Sequence, residues 1–150
     1  PSAHETAREV IRGLKARPVP KWRLEQAKLM SARLDKVAEE FGLLTARDVD
    51  ALSGKTSSNP SANPSRWKRN HKVAAIETRS GDLYPGFQFN LATGQPWPTI
   101  KPALEAWGAS DPVGFTIWCT APNEWLDGQR PVDCLLDTER VVAAAVAAGE

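Results

Sequence analysis

Arg66, Lys68, Arg69 and Lys72 put four cations into seven residues, with Asn70 and His71 among them and Trp67 as the single large apolar side chain. Side chains of these types hold phosphate oxygens and reach the edges of bases. Arg and Lys meet the backbone charge, and Arg and Asn can form two-pronged hydrogen bonds to purines. A charge run alone favours a solvated helix face, so its surroundings must decide. Asn59-Pro60 and Asn63-Pro64 each read as an N-cap followed by a first-turn proline. The basic helix can start at either; Pro60 is the preferred start, with an irregular first turn and an end near Asn70. Val73–Thr78 and Leu83–Phe89 then read as two short strands joined by Ser80-Gly81-Asp82, with Arg79 at the tip, free to touch a phosphate. Leu83, Pro85, Phe87 and Phe89 share one side by period two. A Pro-opened basic helix followed by a hairpin is the outline of a winged helix-turn-helix. Its candidate DNA-binding residues are Arg66, Lys68, Arg69, Asn70, Lys72 and Arg79.

Other chemistry finds no foothold in the sequence. There is no P-loop, no Gly-rich dinucleotide fingerprint and no nucleophile elbow. His4 and His71 have no metal-ligand spacing with Cys119 or Cys134. No enzyme, metal or cofactor is expected. Two cysteines make no disulfide framework, and both lie in apolar surroundings, which predicts buried, reduced thiols. No apolar run is long enough to span a bilayer, and the N-terminus lacks a basic-then-apolar signal pattern, so the expected setting is cytoplasmic, with no membrane partner.

The elements that must position the basic segment can be taken in order. At 150 residues there is room for one ordinary domain or two small ones. His4–Ala16 has helical spacing and is broken by Pro18-Val19-Pro20. Trp22–Phe41 is a longer helix whose apolar stripe runs through Trp22, Ala27, Met30, Leu34, Val37, Ala38 and Phe41, with Gly42 as its C-cap. The stripe admits two readings: core packing, and a homodimer contact made by a helical hairpin too small to bury both faces. Thr45 with Asp48 three residues on resembles a capping box that opens the next helix, with Val49 and Leu52 facing inward and Gly54 at its end. Trp67 is the expected anchor of the basic helix against it.

After Asn90 the texture changes. Residues 1–42 carry nine Lys/Arg against six Asp/Glu, residues 43–90 seven against four, and residues 91–150 three against eight. A basic front and an acidic back suit two kinds of partner. Gly94, Pro96 and Pro98 read as a linker or exposed turn. Short helices are expected over Thr99–Trp107, from Asp111-Pro112 to about Thr120, from Pro131, and over Glu139–Ala148 behind a Thr138 cap. A single turn holds Trp125 and Leu126 and is closed by Gly128. Trp125 fits either the core or an interface, beside a ring-rich set of Trp97, Trp107 and Trp118.

The stretch TIWCTAPNEWLDGQRPVDCLLDTERVVAAA resembles the toxin-binding domain of the Xre–MbcA–ParS antitoxins. That group repeats a segment of the form N-x-x-L-x-G-x-x-P-x-x-x-L before a small-residue helix, matched here by Asn123, Leu126, Gly128, Pro131 and Leu135. Asp127 stands where a Gly is often found. The stretch SRWKRNHKVAAIETRSGDLYPGFQFN resembles the DNA-binding half of bacterial proteins that carry this same C-terminal domain. The group's better-known members have a different, all-helical DNA-binding domain. The resemblance covers about Leu43 to Gly149. It implies an antitoxin of a type II toxin–antitoxin pair, whose partner is a RES-domain toxin acting on NAD⁺ and which represses its own operon.

The expected fold is mainly α with one small β-hairpin. It divides into a helical hairpin over 1–42, a winged helix-turn-helix over 43–90 and a compact all-helical toxin-binding domain over 91–150. The candidate partner-binding residues are Trp125, Asp127, Gln129, Arg130 and Arg140. The alternatives are a stand-alone transcription regulator whose C-terminal module binds another partner or a small ligand, and a structural adaptor that binds no DNA.

Overall fold

A computed structural model of the chain describes residues 19–54 and 58–149. The helix expected over His4–Ala16 lies outside the described residues. The protein is mainly helical, with a small antiparallel sheet. Of the described residues, those from Leu34 onward form one compact unit, and those before it belong to another.

Helix α1 spans Lys21–Phe41. Its expected stripe is not uniformly covered. Val37 is buried and Met30, Leu34 and Phe41 are half-buried, while Trp22, Ala27 and Ala38 are exposed. Leu24 and Leu29, outside the stripe, are exposed as well.

A two-residue strand β1, Leu43–Leu44, leads into α2, Ala46–Ala51. Thr45 and Asp48 form the capping box as expected: the Asp48 amide donates to Thr45 Oγ1 at 3.2 Å, and the Thr45 amide donates to Asp48 Oδ2 at 3.1 Å. Helix α3 is Ala62–Arg69, starting between the two prolines considered. Pro64 is accommodated in its first turn, where no intrahelical donor is needed. The end of α3 is a Schellman-type cap. The Lys72 amide donates to the Trp67 carbonyl at 2.8 Å and the His71 amide to the Lys68 carbonyl at 3.2 Å. His71 takes the left-handed conformation there, φ 60°, in the place usually given to Gly.

Strands β2 (Ile76–Thr78) and β3 (Gly81–Pro85) form the hairpin. Thr78 pairs with Gly81, so the turn is Arg79-Ser80, and Gly81 opens the second strand instead of forming the tip. Leu43 lies opposite Pro85 and Leu44 opposite Tyr84, which gives a three-stranded sheet in the order β1-β3-β2.

The expected second strand does not run on to Phe89. It ends at Pro85, and Gly86–Gln88 make a 3-10 turn. Position 86 admits only Gly. A Cβ at Gly86 would lie 2.1 Å from the Phe41 carbonyl oxygen, and the Gly86 amide donates to the Gly42 carbonyl at 2.9 Å. The period-two pattern therefore fails, and every residue from Tyr84 to Phe89 is buried. The Gln88 side chain closes the turn: its Oε1 accepts from the Ala74 amide at 2.6 Å, and its Nε2 donates to the carbonyls of Ala74 at 3.0 Å and Pro85 at 3.2 Å. The stretch read as a linker folds back instead. β4 (Phe89–Asn90) pairs with β5 (Gln95–Pro96), so the sheet content exceeds the single hairpin expected.

The remaining helices are α4, Ile100–Trp107, α5, Pro112–Cys119, and α6, Thr138–Ala148. Asp111 Oδ1 caps α5 through the Gly114 amide at 3.1 Å. Asp137 caps α6, not Thr138, whose hydroxyl instead meets Thr99 Oγ1 at 2.6 Å. The segment from Pro131 is a 3-10 turn, Pro131–Asp133.

Two apolar clusters hold residues 34–150 together. One is Val49, Trp67, Val73, Ala75, Tyr84 and Phe89, which confirms Trp67 as the anchor of α3. The other joins Val37, Ala74 and Phe87 to Ile100, Leu104, Phe115, Leu126 and Val141. The second cluster crosses the boundary expected at residue 90. The regions 43–90 and 91–150 thus share a core and belong to one compact unit.

Candidate nucleic-acid interface and partner surface

Helix α3 buries Pro64 and Trp67 and exposes Ala62, Asn63, Ser65, Arg66, Arg69 and Asn70. At about 100° per residue, Arg66 and Arg69 fall on the side away from the Trp67 anchor. Among the described residues, Arg69, Lys72 and Arg79 enter no ion pair, and all three are exposed. Arg66 donates through Nη2 to Asn63 Oδ1, one turn back on the helix.

Lys68 stands apart from the other cations. Its ammonium lies 2.9 Å from Glu77 Oε1 and 3.0 Å from Asp82 Oδ2. These two carboxylates sit opposite each other on the hairpin, so Lys68 ties α3 to β2 and β3. The two hydrogen bonds, to Glu77 and then to Asp82, raise the Lys68 pKa, and the same contact lowers that of Glu77. Lys68 is thereby engaged within the molecule.

Asn70 is the C-cap of α3, and its carbonyl accepts from Lys101 Nζ on α4. Glu105 of the same helix lies 3.6 Å from both Lys101 Nζ and His71 Nδ1. The end of the basic helix is thus braced by α4.

The second candidate surface is the turn after α5. Asn123 organises it: its side chain caps the Trp125 amide at 2.8 Å, its carbonyl accepts from the Gly128 amide at 2.9 Å, and its own amide donates to the Gln129 carbonyl at 3.0 Å. Leu126 and Pro131 are buried. The residues of the N-x-x-L-x-G-x-x-P pattern are therefore those the turn needs to fold. Asp127 fills the place where Gly was considered by adopting the left-handed conformation, φ 57°, which Asp tolerates.

Between these fixed positions the side chains project outward. Trp125 is 59% exposed, which separates it from the interior, while Trp107 and Trp118 stack with centroids 5.5 Å apart. Gln129 is exposed and receives a weak contact from Cys134 Sγ at 3.5 Å. Asp127 pairs with Arg140 of α6 at 3.0 Å. Arg130 is not a free surface cation. Its guanidinium grips Glu40 and Asp133 and lies over the Phe41 ring, 5.7 Å from the centroid.

Sequence reasoning missed three features. Asn63 was read only as a cap, although its distance of three residues from Arg66 was the available signal. Glu40 lies 90 residues from Arg130, and no local pattern connects them. Leu136 follows the apolar Val132 and Leu135 in sequence, yet it is 88% exposed. It lines an open groove of about 650 Å³ whose apolar side, Phe41, Phe87, Trp97 and Val132, faces the polar Gln129, Asp133, Asp137 and Arg140. Both cysteines are free and buried, and burial pushes both thiols up, most strongly Cys119. Among the described residues, no helix is long and apolar enough to cross a membrane.

No family model, curated protein or solved structure matches this chain.

Proposed function

We propose that this protein is a DNA-binding antitoxin. It grips operator DNA with α3 and the β2–β3 hairpin, used as a winged helix-turn-helix, and it docks a RES-domain toxin through its C-terminal helices. The observation that carries the DNA reading is the order of elements. Helix, short strand, helix, basic helix and hairpin follow one another, with the first strand paired to the last in the order β1-β3-β2. That arrangement leaves the outward row of α3 free to enter a major groove and sets Arg79 on the hairpin turn. Arg66, Arg69, Lys72 and Arg79 are the proposed contacts. Asn70 is a flanking contact and Lys68 an internal strut. The toxin reading rests on the resemblance of Asn123–Leu135. It draws support from the exposed Trp125, with Asp127, Gln129 and Arg140 as a polar rim, since an aromatic anchor inside a polar rim is the usual make-up of an interface.

The exposed Trp22 and Leu29, seven residues apart on one face of α1, support a homodimer, whose two-fold axis would present two α3 helices to a palindromic site. Reduced, buried thiols fit a cytoplasmic setting.

Two experiments test the proposal. The protein should retard duplex DNA from its own promoter at low salt, and it should co-purify with a toxin encoded beside it. No retardation removes the DNA reading. Retardation without a toxin partner leaves the second reading, a stand-alone regulator.

A further inference from the structure

Helix α3 separates its polar side chains by direction. Pro64 and Trp67 turn inward, and Lys68 is held on the flank that faces the hairpin carboxylates. Asn63, Arg66 and Asn70 recur at i, i+3 and i+7 on the other flank, all exposed. The cation of that flank, Arg66, is already oriented by the acceptor oxygen of Asn63. A guanidinium has five N–H groups in a rigid fork, so one bond to Asn63 leaves the remaining donors directed outward and removes part of the rotamer freedom that binding would otherwise cost.

We propose that Arg66 is the base-reading residue of α3, that it recognises guanine in the major groove, and that Asn63 is the positioning residue that presents it. The inference rests on the DNA-binding reading above. A forked donor pair matches the N7 and O6 acceptors of guanine, the commonest specific contact in that groove. Arg69, Lys72 and Arg79, which form no ion pairs among the described residues, supply charge to the phosphates. Specificity and affinity are thereby divided between different side chains. Lys68, neutralised by two carboxylates, contributes to neither in large measure.

The test is selection from a random duplex library with the full chain, followed by titrations of selected and scrambled duplexes at several salt concentrations. The wild type should select a guanine at a fixed position. Arg66→Ala should lose about tenfold or more of the preference at that position while still binding scrambled duplex. Asn63→Ala should relax the same position by a few-fold and leave scrambled-duplex affinity and the salt slope unchanged. Arg69→Ala should weaken both duplexes alike and reduce the slope by about one. If Arg66→Ala keeps the guanine preference, the inference fails while the DNA-binding reading stands. If Asn63→Ala weakens both duplexes equally, Asn63 serves the helix and not the readout. If the wild type binds no duplex at low salt, the DNA-binding reading itself fails, and the inference with it.

Discussion

Arg130 meets Glu40 in a two-pronged pair, with Nη1 and Nη2 each 2.8 Å from a carboxylate oxygen. The pair joins the last turn of α1 to the turn before Pro131, and Asp133 at 2.9 Å completes the grip on the guanidinium. The hydrogen bond from Arg130 holds the Glu40 carboxyl below its ordinary range. A depressed carboxyl stabilises the fold above its unfolded pKa, and this contribution is lost as pH falls through the folded value. Replacing Arg130 by Met should lower the melting temperature near neutral pH and flatten the loss of stability as pH falls through and below the ordinary carboxylate range. Thermal melts across that range check it, and parallel curves for the two proteins would count against the pair. Arg130→Glu would set a third carboxylate against two others, so it is a stability probe and a poor test of partner binding.

Lys68 offers a second contrast. Because its charge is balanced by Glu77 and Asp82, Lys68→Ala should change the salt slope of DNA binding by well under one, where Arg69→Ala changes it by about one. Its effect should appear in stability instead. The Lys68 pKa is raised in the folded protein, so its contribution is fully present below the unfolded pKa and is lost as pH rises through the folded one. Salt titrations and melts of the same variant separate the two roles.

Trp125 and Leu126 are neighbours with opposite environments. Leu126 is fully buried and Trp125 is 59% exposed. Leu126→Ala should cost about 2–5 kcal/mol of stability, as other buried leucines do. Trp125→Ala should leave the melting temperature nearly unchanged and impair toxin capture. Urea unfolding and co-expression growth rescue read the two outcomes, and full rescue by Trp125→Ala would move the toxin contact elsewhere, with Leu136 the next surface to test.

Gly86→Ala should be among the most damaging small substitutions. The added carbon would sit 2.1 Å from the Phe41 carbonyl, and the obstacle is backbone, which cannot turn aside as a side chain can. A loss of about 2 kcal/mol or more is expected from overpacking. Denaturant midpoints for this variant and for Ala92→Gly, in an exposed turn, provide the comparison.

Some of this was legible because it is local. Thr45 and Asp48, Asp111 and Pro112, and Asn123 and Gly128 announce their caps and turns within a few residues, and each forms near its expected place. Trp67 could be assigned to the core because no other large apolar side chain on α3 competes for the role. What escaped depends on distant partners. Strand β3 stops at Pro85, and the need for Gly at position 86 comes from the Phe41 backbone, 45 residues back, which leaves no room for a Cβ. Strands β1, β4 and β5 are two residues long, too short for any periodicity to register. The candidate DNA residues were found by composition, but composition cannot tell a neutralised Lys68 from an unpaired Arg69. Nor could it tell the exposed Trp125 from the half-buried Trp107 and Trp118.

The core that joins Val37, Ala74 and Phe87 to the helices after residue 100 has a consequence for how the chain can be cut. A fragment beginning at residue 91 would leave behind side chains that fill its own interior, and the remainder would keep a bare apolar scar. Neither side of residue 90 closes a core without the other. A change in the size of one of these interior side chains, on either side of residue 90, must therefore be met by its neighbours across that position.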